Sequence, residues 1–261
     1  ISLGLVGSEM CIRDRLKADL LAESGDVMAA ETSLEKAIEK HPLDAELRST
    51  VASRRLAEGR IEVAQALLDG TPPNIDHPEL HIVEGRLHLA RADRRRDGTG
   101  ETDQLLLGSA IQSFEAALQL NRELGVAWLG LARTQRLMKR LDEASESLTR
   151  AKRLLGDTDS SCSIEAALLA IDLDDIHAAT RYIDAAEIQG SGPTIAYVRG
   201  NIAIKSGDAE RAIAMYTETL NERPKHIRAR LNRISCYLGL DQAVEATVSY
   251  THLTLPTIVS V

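Results

Sequence analysis

An alanine that recurs about every 34 residues constrains the fold of this chain more than any other feature. The alanines of this column are Ala30, Ala64, Ala110, Ala144, Ala179, Ala212 and Ala246. Their successive spacings are 34, 46, 34, 35, 33 and 34 residues. A period of this kind indicates one structural unit used repeatedly, so we expect an array of similar units in which each unit packs on its neighbours.

The complete units share a pattern of side-chain sizes. A large residue follows the column alanine by four positions and a small one follows it by seven, as in Ala179, Ile183 and Ala186. Offsets of four and three place side chains on one face of a helix, where small residues let a second helix approach closely. A glycine five positions before the alanine, as at Gly59 and Gly207, permits the left-handed turn between two antiparallel helices.

The residues around Trp128 follow a known repeat pattern, with Trp128-x2-Leu131-Ala132-x2-Gln135 preceding the column alanine. The chain resembles bacterial members of the tetratricopeptide repeat superfamily, whose pattern is W-x2-L-G-x2-Y, then A-x3-F, then P. The resemblance implies an all-α fold, a right-handed α-solenoid of antiparallel helix hairpins with about seven units, both end units being truncated. Within the superfamily, the run from Gly200 to Arg233 resembles repeat lipoproteins of PEP-CTERM/exosortase systems.

The predicted units cover residues 16–44, 45–77, 78–124, 125–157, 158–192 and 193–226, with a partial unit at 227–247. The third unit is longer than the others because of an insertion near 92–104. We expect a longer first helix there, a glycine-containing loop, and a longer second helix that starts near Thr102. The fifth unit lacks a turn glycine and is predicted to turn at Leu173-Asp174-Asp175.

The two ends of the chain have an unusual relationship at the nucleotide level. Residues 9–15 and 247–253 can be back-translated into strings that are reverse complements of each other, and these resemble the end sequence of a transposase-based sequencing adapter. We therefore predict that residues 1–15 and 248–261 are adapter-derived and not native, and exclude them from the interpretation of the fold.

Composition and charge exclude several functions. The net charge of −8 argues against binding of nucleic acid, which normally requires a basic face. No apolar run reaches the roughly 20 residues of a membrane-spanning helix. Three cysteines are too few for a disulfide framework. The compartment stays open between bacterial cytoplasm and envelope.

No set of residues predicts catalysis, a metal site or a cofactor. His77 and His81 are four residues apart, but they lack the surrounding motif of a zinc site and are interpreted as solvated helix residues. Asp172, Asp174 and Asp175 do not have the spacing of a calcium loop. Cys162 and Cys236 have no adjacent histidine and are expected to be buried thiols. The sequence therefore predicts a protein that is not an enzyme and takes no cofactor.

The resemblance implies a site for a partner in the groove that the first helices line. Carried over to this sequence, it gives these candidate groove residues: Arg86, Arg133, Arg136, Tyr197, Asn201, Lys205, Arg228 and Asn232. Guanidinium groups and amides suit carboxylates and extended peptide backbones. The predicted partner is another protein or peptide, with an acidic or C-terminal carboxylate group as one form of the ligand. Ordinary solvated charges are the alternative interpretation of these residues.

Three functions are compatible with these features. The first is a protein–protein interaction scaffold that holds a peptide or partner protein in its groove. The second is the substrate-recruiting arm of a larger enzyme, a sulfotransferase or glycosyltransferase. The third is an envelope lipoprotein in exopolysaccharide export or protein sorting. The complete reading frame of the parent gene would separate them.

Overall fold

The computed structural model describes residues 16–17, 20–21, 24, 26–72, 75–156 and 158–254, and all regular structure among them is helical. The helices are α1 Val27–Lys40, α2 Ala45–Ala57, α3 Ile61–Asp69, α4 Pro78–Thr99, α5 Gln104–Leu120, α6 Gly125–Leu137, α7 Leu141–Leu155, α8 Ser160–Asp172, α9 Ile176–Ile188, α10 Pro193–Lys205, α11 Ala209–Glu222, α12 Ile227–Gly239 and α13 Ala243–Thr254. This confirms the predicted fold class, an all-α helical repeat of the α-solenoid type. Gly25 and most of the predicted adapter residues lie outside the described residues.

Aspartate side chains fix where many of the helices begin. The N-caps of α1, α2, α5, α8, α9 and α11 are Asp26, Asp44, Asp103, Asp159, Asp175 and Asp208. Each carboxylate accepts a backbone N–H of the first turn, for example that of Leu47 at 2.8 Å from Asp44 Oδ1. Such a cap typically stabilises a helix by about 1 kcal/mol, which matters for helices as short as these.

The alanine column is buried along its whole length. Its members are between 0% and 4% exposed. The large residues four positions later, including Leu34, Phe114 and Ile183, are buried with them. The close-packing role that the sequence predicted for the small residues is therefore confirmed.

Cα packing divides the chain into two compact units, of which unit 1 contains the described residues up to Arg95 together with 102–130. One part of its core joins α2, α3 and α4 through side chains such as Ala52, Ile61 and Leu87. In another part, the ring of Phe114 packs against the Cα atoms of Gly85 and Gly130. A Cβ atom at these glycines would come within 2.7 and 2.4 Å of the ring.

Unit 2 contains residues 96–101 and the described residues from Leu131 onward. Its helices pack as the hairpins α8–α9, α10–α11 and α12–α13, and the first helix α10 also packs against the preceding first helix α8. Apolar clusters fill the hairpins, one around Ile183 and Val198 and another around Tyr216 and Leu220. The first helices α8 and α10 of two successive repeats therefore lie side by side within this unit.

The longer third repeat has the helices that the sequence predicted. Helix α4 has 22 residues and α5 has 17. Between them Gly100 has a φ of +77°, and Asp103 caps α5, which begins two residues after the predicted start near Thr102. The insertion therefore lengthens both helices of one hairpin.

Most turns between paired helices contain a residue with positive φ. Gly59 and Gly207 adopt φ values of +76° and +77°, as their positions predicted. In three turns without such a glycine the same conformation is adopted by Lys139, Asp174 and Asp241, with φ near +60°. The turn geometry is thus retained where its usual residue is missing.

Candidate partner-binding site

Four of the candidate groove residues meet on two neighbouring first helices of unit 2. Tyr197 and Asn201 are one turn apart on α10, and Arg228 and Asn232 are one turn apart on α12. The i, i+4 spacing places each pair on one helix face. All four side chains are half-buried. They therefore form a single surface across the two helices, which we call the α10–α12 surface.

Hydrogen bonds orient the two amides of this surface. Asn201 Oδ1 accepts from Tyr216 Oη at 2.8 Å and from Asn232 Nδ2 at 3.2 Å. The same Nδ2 lies 3.3 Å from Tyr216 Oη, which serves as its second acceptor. Within the described residues, Asn201 Nδ2 and Asn232 Oδ1 have no hydrogen-bond partner. One donor group and one acceptor of these amides are therefore left without a protein partner among the described residues.

Tyr216 of the second helix α11 orients the Asn201 and Asn232 amides from the buried side of the surface. Its ring is 1% exposed and packs against Gly200, where an added Cβ would lie 2.4 Å from the ring. Burial raises the pKa of the Tyr216 hydroxyl, which therefore stays protonated and can donate. The glycine of α10 thus lets a tyrosine of α11 reach the surface amides.

Aromatic rings form the edge of the surface. The Tyr197 ring lies 4.7 Å from the His226 ring and 5.9 Å from that of Tyr216, measured between centroids. Burial, and then the charge of Arg228, lower the pKa of His226. The imidazole is therefore neutral at pH 7, and its Nδ1 accepts the backbone N–H of Ala229 at 3.1 Å.

Two basic side chains beside the amides form ion pairs with the chain itself. Arg228 Nε lies 3.0 Å from Asp97 Oδ1, and both side chains are about one quarter exposed. Lys205, one turn after Asn201, lies 2.9 Å from Asp174 through its Nζ and is more exposed than Arg228. Both cations therefore already hold a carboxylate.

Arg136 differs from the expectation of a groove residue. It is only 9% exposed, and its Nε lies 2.5 Å from Glu165 Oε1 while Nη1 lies 3.1 Å from Asp172 Oδ2. Desolvation alone would lower the Arg136 pKa, but the two carboxylates outweigh it and raise that pKa. The side chain joins α6 to α8 inside unit 2, because the next first helix supplies its partners.

The remaining candidates do not lie on the α10–α12 surface. Arg133 is an exposed residue of α6. Arg86 belongs to unit 1, where it is exposed and donates from Nη1 to Ser53 Oγ at 3.2 Å. These two residues are therefore not part of the cluster formed by Tyr197, Asn201 and Asn232.

Sequence reasoning missed two members of the site, Tyr216 and His226. Tyr216 stands in the column of large residues, whose other members are Leu34, Leu68, Phe114, Leu148 and Ile183. A hydroxyl in an otherwise apolar column was the signal that something polar lies within its reach. His226 carried no such signal, because its ring contact joins the N-cap of α12 to Tyr197 of α10, and that contact depends on tertiary structure.

His81 and the two cysteines that were considered for chemistry from the sequence are ion-paired or buried. His81 lies between Asp76 and Glu84, and Cys162 and Cys236 are buried, as expected. Over the described residues, no group of three or more His, Cys, Asp or Glu side chains is arranged to hold a metal ion. None of the described helices combines the length and apolar character that crossing a bilayer requires.

Comparisons with known proteins agree with this architecture. A tetratricopeptide repeat family model matches residues 15–75 and 197–247. A chain in the crystal structure of the APC/C hetero-tetramer Cut9–Hcn1 is similar, with a TM-score of 0.68 and 16% identity over 98% of this chain and 48% of that one. This chain therefore spans about half the length of that protein. Curated protein sequences give no match.

Two smaller proteins are similar over most of their own length. The tetratricopeptide repeat protein TTC0263 of Thermus thermophilus has a TM-score of 0.58 and 18% identity, over 73% of this chain and 97% of that one. The type IV pilus biogenesis factor PilW has a TM-score of 0.59 and 15% identity, over 83% and 94%. At these identities the likeness concerns the fold alone.

The fold and the family match together define the class of this protein, an all-α helical repeat of a kind that in general supports protein–protein interaction. The two matched segments, residues 15–75 and 197–247, are similar to the tetratricopeptide repeat family.

Proposed function

We propose that unit 2 binds an extended segment of a partner protein on the α10–α12 surface. The observation that carries this proposal is the pair of unused amide groups, Asn201 Nδ2 and Asn232 Oδ1. An extended peptide presents C=O and N–H groups along its length, so it can pair with both. In globular ligands these backbone groups are already used within helices and sheets, which favours a linear segment.

The neighbouring side chains suit such a segment. Tyr197 offers an aromatic face that is fixed by its contacts with His226 and Tyr216. Aromatic residues and arginine are the side chains most often found at the centre of interfaces. Arg228 adds a guanidinium that can hold a carboxylate with two parallel hydrogen bonds. The surface therefore combines backbone recognition with selection for an acidic residue.

A peptide-display selection on the intact chain tests this proposal. Peptides that are enriched should bind the chain at least about tenfold more weakly after Asn232→Ala or Arg228→Ala, because both side chains would be central contacts. The matched controls are Asn221→Ala and Arg211→Ala, which alter exposed residues of the second helix α11 and should leave affinity unchanged. Circular dichroism verifies that each variant is folded. If the enriched peptides bind the site variants as well as the controls, the α10–α12 surface is not where they bind.

A further inference from the structure

The ion pair between Asp97 and Arg228 joins parts of the chain that are far apart in sequence. Asp97 lies 131 residues before Arg228, in the insertion that distinguishes the third repeat from the others. Residues 96–101 pack as part of unit 2. A carboxylate of the chain itself therefore lies on the α10–α12 surface.

The position of this carboxylate is the one that an acidic ligand residue would take. Asp97 Oδ1 is 3.0 Å from Arg228 Nε, and Asp97 also acts electrostatically on His226, the ring that stacks on Tyr197. Arg228 is one turn from Asn232, whose Oδ1 is unused within the described residues. Asp97 thus lies next to the groups proposed to bind a peptide.

The segment that carries Asp97 comprises the last turn of α4 and the start of the loop that follows it. Residues 96–101 read Arg-Asp-Gly-Thr-Gly-Glu and include no apolar side chain that could anchor them in a core. Gly98 and Gly100 have no atom within 4 Å of where a Cβ would be, so nothing packs closely over them. Both side chains of the Arg228–Asp97 pair keep about one quarter of their surface in solvent, so salt can weaken the pair. Contacts of this kind can be exchanged for those of a ligand.

We propose that residues 96–101 are a tethered competitor, in which Asp97 occupies Arg228 until an acidic residue of the partner replaces it. This inference rests on the proposed function of the α10–α12 surface. It also states the chemistry of the ligand: an extended segment with an aspartate, a glutamate or a terminal carboxylate placed against Arg228. The tether lowers the apparent affinity by the fraction of time that the site is open.

Fluorescence anisotropy with a labelled Gly-Ser-Glu-Asp-Glu-Ser peptide tests the competition. Asp97→Asn should tighten binding by about three- to tenfold, as expected when a weak internal competitor is removed. Glu101→Gln changes the same net charge in the same segment and should have no effect. Replacing the acidic residues of the probe by Gln and Asn should remove the gain. Equal affinity for wild type and Asp97→Asn, with binding still lost in Arg228→Ala, would overturn the competitor and leave the proposed function standing.

Hydrogen exchange measured without any peptide tests the same contact independently. Arg228→Ala should speed amide exchange in residues 96–101, whereas Arg211→Ala should not. Unchanged exchange in Arg228→Ala would mean that this pair does not hold the segment, and the inference would fail. If the acidic probe binds no variant better than its amide counterpart, the inference also fails, and the display selection then decides the proposed function separately.

Discussion

At the scale of single residues, the helix-interior glycines of this chain fall into two kinds. Gly85, Gly130 and Gly200 each lie under an aromatic ring, so that even a methyl group would collide with it. Gly108, in the second turn of α5, has open space where its Cβ would be. The first kind allows two helices to pack closely, whereas the second only costs helix propensity.

Replacing these glycines by alanine should therefore have opposite effects. Gly200→Ala should lower the free energy of unfolding by about 1–3 kcal/mol, because the methyl group overpacks the site beneath Tyr216. Gly108→Ala should raise it by about 0.5–1 kcal/mol, because alanine is the better helix former and nothing obstructs it. Urea denaturation followed by circular dichroism gives both values. A stabilised Gly200→Ala variant would show that Tyr216 does not pack as described.

The environment of His81 makes stability depend on pH. A hydrogen bond to Glu84, partly opposed by burial, and a second to Asp76 raise the pKa of His81 from 6.5 to about 9. A pKa raised in the folded state means that the protonated imidazole stabilises the fold. The full contribution is present below pH 6.5 and is lost as the pH rises through about 9.

We expect His81→Gln to flatten the fall of the unfolding free energy between pH 6.5 and 9. The comparison with wild type is needed because Cys162 also makes stability fall at alkaline pH. Burial raises the pKa of its thiol to about 12 in the folded chain, so the thiol ionises first in the unfolded chain and favours unfolding. The exposed His177, changed to glutamine, is the control and should leave the profile unaltered. Identical profiles for wild type and His81→Gln would contradict this role.

At the scale of elements, the sequence predicted which segments are helices better than it predicted what lies between them. The alanine column and the turn glycines are local signals, and they predicted the hairpins. The positive φ of Lys139 and Asp241 was not predicted, because a lysine or aspartate in a turn carries no distinctive pattern. Packing of the flanking helices imposes that conformation despite a steric cost of about 1–2 kcal/mol.

Contacts between distant elements were the least predictable. Helix periodicity was enough to predict that Asn201 and Asn232 line the groove. The same reasoning wrongly gave Arg136 an exposed position there, although its side chain is buried. Its burial depends on Glu165 and Asp172 in the following first helix, and spacing within one helix says nothing about them. The Asp97–Arg228 pair could not be predicted for the same reason, because it joins two residues that are 131 positions apart in the sequence.

The link between α6 and α8 should depend on Arg136 much more than on its neighbour Lys139. Arg136→Ala would leave the carboxylate of Glu165, which is 6% exposed, without its partner, at a cost of about 3–5 kcal/mol in unfolding free energy. Lys139 also pairs with Asp172, but its side chain is 70% exposed, so Lys139→Ala should cost no more than about 1 kcal/mol. Chemical denaturation of both variants measures the difference. Equal losses would show that the Arg136 pair is not a buried link.

At the scale of the whole molecule, repetition and function depend on different residues. The alanine column is buried from Ala30 to Ala246 and repeats one packing solution along the chain. The proposed site uses residues outside that column, on the faces of α10 and α12, together with one hydroxyl from the column of large residues. Variation at such surface positions can change the partner without changing the fold.

Hydrogen exchange of the intact chain with a display-selected peptide tests the central claim most directly. The account predicts that the peptide slows amide exchange in residues 193–205 and 227–239, the first helices α10 and α12. It also predicts faster exchange in 96–101 and no change in the exposed turns of the second helix α9. Protection confined to second helices, or to unit 1, would contradict the assignment of the binding surface.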